Sequence, residues 1–122
     1  MGTVLISNKS LQWGQLAPML DGPARIRLSP EAKQSIRKSH KILRSLLDKN
    51  QQIYGVNTGF GQLSTVPISQ EDRRKLQLNL VRSHACGVGK PLDLGVTRIT
   101  MILKLMTWAK GYSGVRLALA QL

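Results

Sequence analysis

Few side chains in this sequence are equipped to move protons near neutral pH: two histidines, one cysteine and two tyrosines. One of them, Tyr54, heads an unusual stretch, Ile53-Tyr54-Gly55-Val56-Asn57-Thr58-Gly59-Phe60-Gly61. A phenol can act as acid or base when its surroundings tune it. Gly55, Gly59 and Gly61 allow left-handed backbone and let the main chain approach a ligand closely. The same composition also suits a plain interhelical turn, with Tyr54 or Phe60 tucked against a core, because Gly, Asn and Thr are ordinary loop residues. Local chemistry leaves both readings open.

The second candidate is His84, within Ser83-His84-Ala85-Cys86-Gly87-Val88-Gly89. Its spacing puts it near the Leu76–Leu80 face at the end of a helix, either as a pocket wall or as a packed core residue. His40 falls at the boundary between the two faces of another helix and reads as structural. Neither histidine has a cysteine or carboxylate at metal-ligand spacing, so no metal site is expected. Nucleophile-elbow, Walker and dinucleotide-binding patterns do not occur. Four of the six acids, Glu31, Glu71, Asp72 and Asp93, stand at apparent helix starts, where the helix dipole favours them. Capping accounts for these acids, so a glycosidase-type carboxylate pair is not expected.

These residues must be held by elements that the pattern predicts to be mainly α, as one partial domain with a short extended arm over residues 1–28. "TVLI" and "ARIRL" have strand composition, and Leu20-Asp21-Gly22-Pro23 is turn chemistry. Ser29-Pro30-Glu31 opens a helix over 29–50. At 100° per residue, Ala32, Ile36, Leu43, Leu46 and Leu47 share one arc, opposite Lys33, Arg37, Lys38, Lys41 and Arg44. The glycine-rich stretch lies in a loop over 51–68. A helix over 69–86 follows, with Ser69 and Asp72 as an approximate capping box and leucines on two faces, so both sides should be covered. Gly87 is placed to close it. The run over 93–110 is apolar around nearly its whole circumference and predicts a buried helix ending at Gly111, and 115–122 starts a further helix. Two other helices and an arm could hardly enclose it, which predicts a larger assembly.

Bulk properties set the outer limits. A chain of 122 residues with a 42% apolar share can bury a core. The net charge of +12 raises nucleic-acid binding through the basic helix face. The bases are spread along the chain without aromatic interleaving, however, so no nucleic-acid partner is expected. The longest apolar segment is short and carries Lys104, so no membrane span is expected. The start lacks the layout of a secretory signal, and the lone Cys86 fits a reducing, cytoplasmic setting.

Three stretches taken in order carry a more specific signal: "IYGVNTGFGQLSTVPIS", "LQLNLVRSHACGVGKPL" and "MILKLMTWAKGYSGVR". Together they closely resemble the N-terminal part of the aromatic amino acid lyases and aminomutases, in particular the histidine ammonia-lyase branch. The resemblance covers essentially the whole chain and is densest from Ile53 to Arg116. It implies the helical lyase fold, a homotetramer, and elimination of ammonia from L-histidine to give urocanate. The electrophile in that chemistry is a methylidene-imidazolone group (MIO), which forms from an internal Ala-Ser-Gly. Tyr54 matches the tyrosine that removes the β-proton. Gly55, Asn57, Thr58, Gly59 and Phe60 match the lid loop, and Gly61 matches a glycine that lets the backbone lie against substrate. His84 matches the residue that contacts the substrate imidazole. The Ser83-His84 order favours histidine, since tyrosine- and phenylalanine-specific relatives usually carry His-Leu or Phe-Leu there.

One departure limits what the resemblance implies. No Ala-Ser-Gly occurs in the sequence, so this polypeptide alone should be catalytically incompetent. The alternatives are part of a tyrosine or phenylalanine ammonia-lyase or aminomutase, and a non-catalytic helical module that assembles through its apolar helix.

Overall fold

The computed structural model describes residues 3–122. They form two compact units. One runs up to Leu43 and resumes over Pro91–Leu122; the other is Arg44–Lys90.

In the first unit, strand β1 (Thr3–Ile6) pairs in parallel with β2 (Arg25–Leu28), in a register that sets Thr3 against Arg25 and Ile6 against Leu28. Parallel neighbours need a long crossover. Here it contains two helical turns, α1 (Trp13–Leu16) and α2 (Pro18–Asp21). The arm is therefore not simply extended, and the turn residues from Leu20 to Pro23 close α2 rather than reverse a hairpin. Leu16 and Met19 from these turns join Ile6, Ala32, Ile102 and Ala109 in the core.

Helix α3 (Pro30–Asp48) begins at the buried Ser29, whose hydroxyl oxygen accepts the Ala32 N–H at 3.1 Å. Ala32 and Ile36 are buried, while Arg37, Lys38, Lys41 and Arg44 face solvent, as the two arcs require. The helix closes through Asn50 at φ 55°, with Gln51 N–H bonded to the Leu46 carbonyl and Asn50 N–H to that of Leu47. This double closure is a Schellman motif with asparagine in the left-handed position. His40 is half-buried, its Nδ1 2.9 Å from the Gly114 carbonyl oxygen, a structural contact.

Helix α5 (Leu94–Ala109) starts at Asp93, whose carboxylate accepts the N–H groups of Gly95 and Val96 at 2.7 and 3.3 Å. A β-carbon on Gly95 would come within 2.8 Å of the Leu20 Cα, so glycine permits α2 to lie directly on this helix. The helix is not buried all round. Ile102 and Ala109 are covered, whereas Met101 is 63% exposed and Val96 and Leu103 are also exposed. The expectation of a buried helix fails within this chain because its neighbours, α2 and β1, cover only one side. Gly111 closes it at φ 79°, and the last run forms only the short α6 (Leu117–Ala120).

The second unit holds the end of α3, the glycine-rich loop and α4 (Asp72–His84). Ser69 caps α4: its oxygen accepts the Asp72 N–H at 3.1 Å, and its hydroxyl donates to the Asp72 carboxylate at 2.8 Å. Leu76 and Leu80 are half-buried, but Leu78 and Val81 are exposed, so only one of the two leucine faces is covered. The helix ends at His84, and the left-handed residue beyond it is Gly89, not Gly87. Among the described residues, no helix is long and apolar enough to cross a membrane.

Candidate active site

The glycine-rich loop folds on itself before it offers anything to solvent. Asn57, 4% exposed, accepts the Ile53 N–H on Oδ1 at 2.7 Å and donates from Nδ2 to the Gln51 carbonyl at 2.8 Å. Thr58, 1% exposed, accepts the Gly55 N–H at 3.3 Å and donates to the Gly59 carbonyl at 3.0 Å. The returning segment completes the stem. Ile68 N–H reaches the Asn57 carbonyl at 2.8 Å, Gly59 N–H reaches that of Val66 at 3.2 Å, and Thr58 bridges to Pro67. Polar side chains buried this deeply are favourable only when so paired. Asn57 and Thr58 are thus the scaffold of the loop.

On this stem stands an exposed aromatic pair. Tyr54 is 64% exposed, and its ring meets Phe60 edge to face at 5.8 Å. Gly55, at φ 71°, leaves room for that contact, since its β-carbon would lie 3.0 Å from the Phe60 ring. Gly61, at φ 56°, directs its N–H toward the Tyr54 oxygen at 3.4 Å. Nothing crowds Gly61, so its glycine answers to backbone conformation, leaving the peptide open to solvent. Tyr54, Gly55, Phe60 and Gly61 therefore form one cluster.

His84 belongs to a different local arrangement on the last turn of α4. Its Nδ1 lies 2.9 Å from the Leu80 carbonyl oxygen and 3.0 Å from Ser83 Oγ, while the Ser83 hydroxyl donates to the same carbonyl at 3.0 Å. A carbonyl can only accept, so its contact with Nδ1 places a hydrogen there in the neutral ring. Nε2 is then left as a hydrogen-bond acceptor on an exposed side chain. These hydrogen bonds run within α4, not to the loop. A side-chain link between loop and helix is Gln77, whose Nε2 donates to the Gly55 carbonyl at 3.1 Å. Sequence reasoning missed Gln77, because a bond to a main-chain carbonyl leaves no mark on composition. The available signal was its position two turns ahead of His84.

The arrangement offers a reachable phenol and a reachable imidazole. Among the described residues no cluster of three potential metal ligands exists. With no Ala-Ser-Gly in the sequence, the residues present do not fit formation of MIO within this chain.

Comparison with known proteins gives this geometry a family. The model for aromatic amino acid lyases matches residues 11–122. The chain belongs to the aromatic amino acid lyase family. Histidine ammonia-lyase from Anaeromyxobacter dehalogenans is 40% identical to it over 116 residues, which is 95% of this chain and 23% of that protein. The crystal structure of histidine ammonia-lyase from Trypanosoma cruzi superposes with a TM-score of 0.82 at 33% identity, covering 99% of this chain and 23% of that one. Tyrosine aminomutase from Streptomyces globisporus superposes with a TM-score of 0.88 at 29% identity, covering 98% and 23%. This lyase-family chain spans about a quarter of the length of these relatives. The mainly α lyase fold with a short β element is the one observed. Fold similarity alone does not rank substrates, since the aminomutase superposes at least as well as the ammonia-lyase.

Proposed function

We propose that the chain is the N-terminal region of a histidine ammonia-lyase and supplies two of its active-site groups. The observation that carries this reading is the exposed His84 imidazole at the end of α4, whose Nδ1 is occupied by the Leu80 carbonyl and Ser83 Oγ, so that Nε2 is left for a ligand. The imidazole of histidine has a ring N–H to donate to Nε2. In this reading the Tyr54 oxygen, as phenolate, takes the β-proton of the bound histidine. The C–H electron pair becomes the Cα–Cβ double bond, and the amino group leaves with the C–N pair. The Gly61 N–H is directed at the oxygen involved. Gly55, Asn57, Thr58, Gly59 and Phe60 form the lid that carries the phenol and excludes water. In the intact family enzyme MIO supplies the electrophile that activates the amino group; its precursor would come from residues outside this chain. A homotetramer in the cytoplasm, serving histidine catabolism, completes the proposal.

The test joins this chain to the remaining three-quarters of the Anaeromyxobacter dehalogenans relative, in place of the matched quarter. Urocanate formation from histidine, followed by ultraviolet absorbance, is expected from the joined protein and not from residues 1–122 alone. Turnover of tyrosine in preference to histidine would instead favour an aminomutase-like or tyrosine-specific relative, the reading supported by the Streptomyces superposition.

A further inference from the structure

Gln77 and His84 are seven residues apart on α4. Seven steps at 100° return to within about 20° of the starting direction and advance about 10 Å along the axis, so both residues share a helix face. One of them holds the loop. The Gln77 amide donates to the Gly55 carbonyl at 3.1 Å, while the Gly55 N–H is taken by Thr58 Oγ1 at 3.3 Å. The residue next to Tyr54 is thus gripped at its N–H by the loop and at its carbonyl by the helix that bears His84. Gly55 cannot easily be replaced in this role, because its φ of 71° strains any residue with a β-carbon and that carbon would press on the Phe60 ring at 3.0 Å. Beyond the Ser69 cap, this is the side-chain hydrogen bond that joins α4 to the loop among the described residues.

We propose that Gln77 is a positioning residue, which sets the Tyr54 phenol at a fixed distance along α4 from the His84 imidazole. The proposal rests on the roles given above to Tyr54 and His84. Among the described residues the Gln77 amide hydrogen-bonds the Gly55 carbonyl and not the phenol or the imidazole, so it acts through that carbonyl. Because Gln77 is exposed, water competes for its amide. The bond therefore adds little to folding and selects one placement of the loop. Binding through His84 would survive its loss, whereas proton transfer at Tyr54 depends on where the loop stands.

Two measurements test this with Gln77→Glu, which keeps the length but removes the donor, and Gln77→Asn, which is too short to reach. In residues 1–122, hydrogen exchange followed by magnetic resonance should show the Gly55 and Val56 amides exchanging several-fold faster in both variants, with the α3 amides unchanged. In the joined enzyme, both variants should lower kcat about fivefold to tenfold, the scale of one hydrogen bond, with KM for histidine within about twofold. Unchanged exchange at Gly55 overturns the contact. An unchanged kcat, or a rise in KM with kcat preserved, overturns the positioning role. If the unsubstituted joined protein makes no urocanate, the lyase reading is what fails, and the exchange measurement still decides whether Gln77 holds the loop.

Discussion

Tyr54 and Asn57 lie in the same loop and serve opposite ends. Tyr54 is mostly exposed, with one long hydrogen bond from Gly61, whereas Asn57 is buried and spends both ends of its amide on backbone groups of Gln51 and Ile53. Substituting the first should change chemistry and spare the fold; substituting the second should do the reverse. Asn57→Ala leaves the Ile53 N–H and the Gln51 carbonyl without these partners, and should destabilise the protein by about 2 kcal/mol. Urea unfolding reads this, and a midpoint equal to that of the unsubstituted chain would show that water replaces the amide. Tyr54, Gly61 and His84 were legible as candidates in the sequence because phenol, glycine and imidazole announce their chemistry. The scaffold role of Asn57 and Thr58 was not, since their partners are main-chain atoms whose positions depend on how the loop returns through Val66 and Ile68. The contact of His84 Nδ1 with the Leu80 carbonyl was equally hidden, because it too ends on a main-chain atom.

At the scale of elements, helices with explicit start signals were readable and the short ones were not. Ser29 caps α3, Ser69 caps α4 and Asp93 caps α5, each where the pattern of polar and apolar residues changes. By contrast α1 and α2 are four residues each, too short to show a helical period, and only the parallel pairing of β1 with β2 requires such a crossover. The close approach of α2 to α5 at Gly95 is also a tertiary fact. Gly95→Ala should destabilise by about 1–3 kcal/mol, because the backbone of Leu20 must move to admit a methyl group. Thermal unfolding checks it, and an unchanged melting temperature would mean that α2 shifts freely. The start of α3 adds a pH dependence. The Ser29 hydroxyl holds the Glu31 carboxyl below its ordinary value of 4.5, helped by a backbone hydrogen bond. A carboxyl lowered in the folded state contributes stability above its unfolded pKa and loses it as pH falls through the folded value. Stability should therefore decline below about pH 4.5 more steeply than in Glu31→Gln; parallel acid profiles for the two proteins would contradict this.

The whole molecule exposes more apolar helix surface than its own length can cover. Met101, Leu103 and Val96 on α5, together with Leu78 and Val81 on α4, are open to solvent in a chain about a quarter as long as its relatives. Apolar patches of this kind drive association. Residues 1–122 should sediment with a concentration-dependent mass, and Met101→Glu should shift the distribution toward monomer; identical sedimentation of the two would show that this face is not adhesive. The sequence pointed to this imbalance through the apolar circumference of the 93–110 run. It could not show which side the chain itself would cover, because that depends on the placement of α2 and β1.

The central claim is that Tyr54 moves the proton in a histidine-specific lyase to which this chain contributes. Its most direct test is urocanate formation by the joined enzyme carrying either Tyr54 or Tyr54→Phe. Steady turnover of histidine by the first, and a rate lower by about a hundredfold or more in the second with its helical spectrum intact, is the predicted result. Equal rates in the two would contradict it.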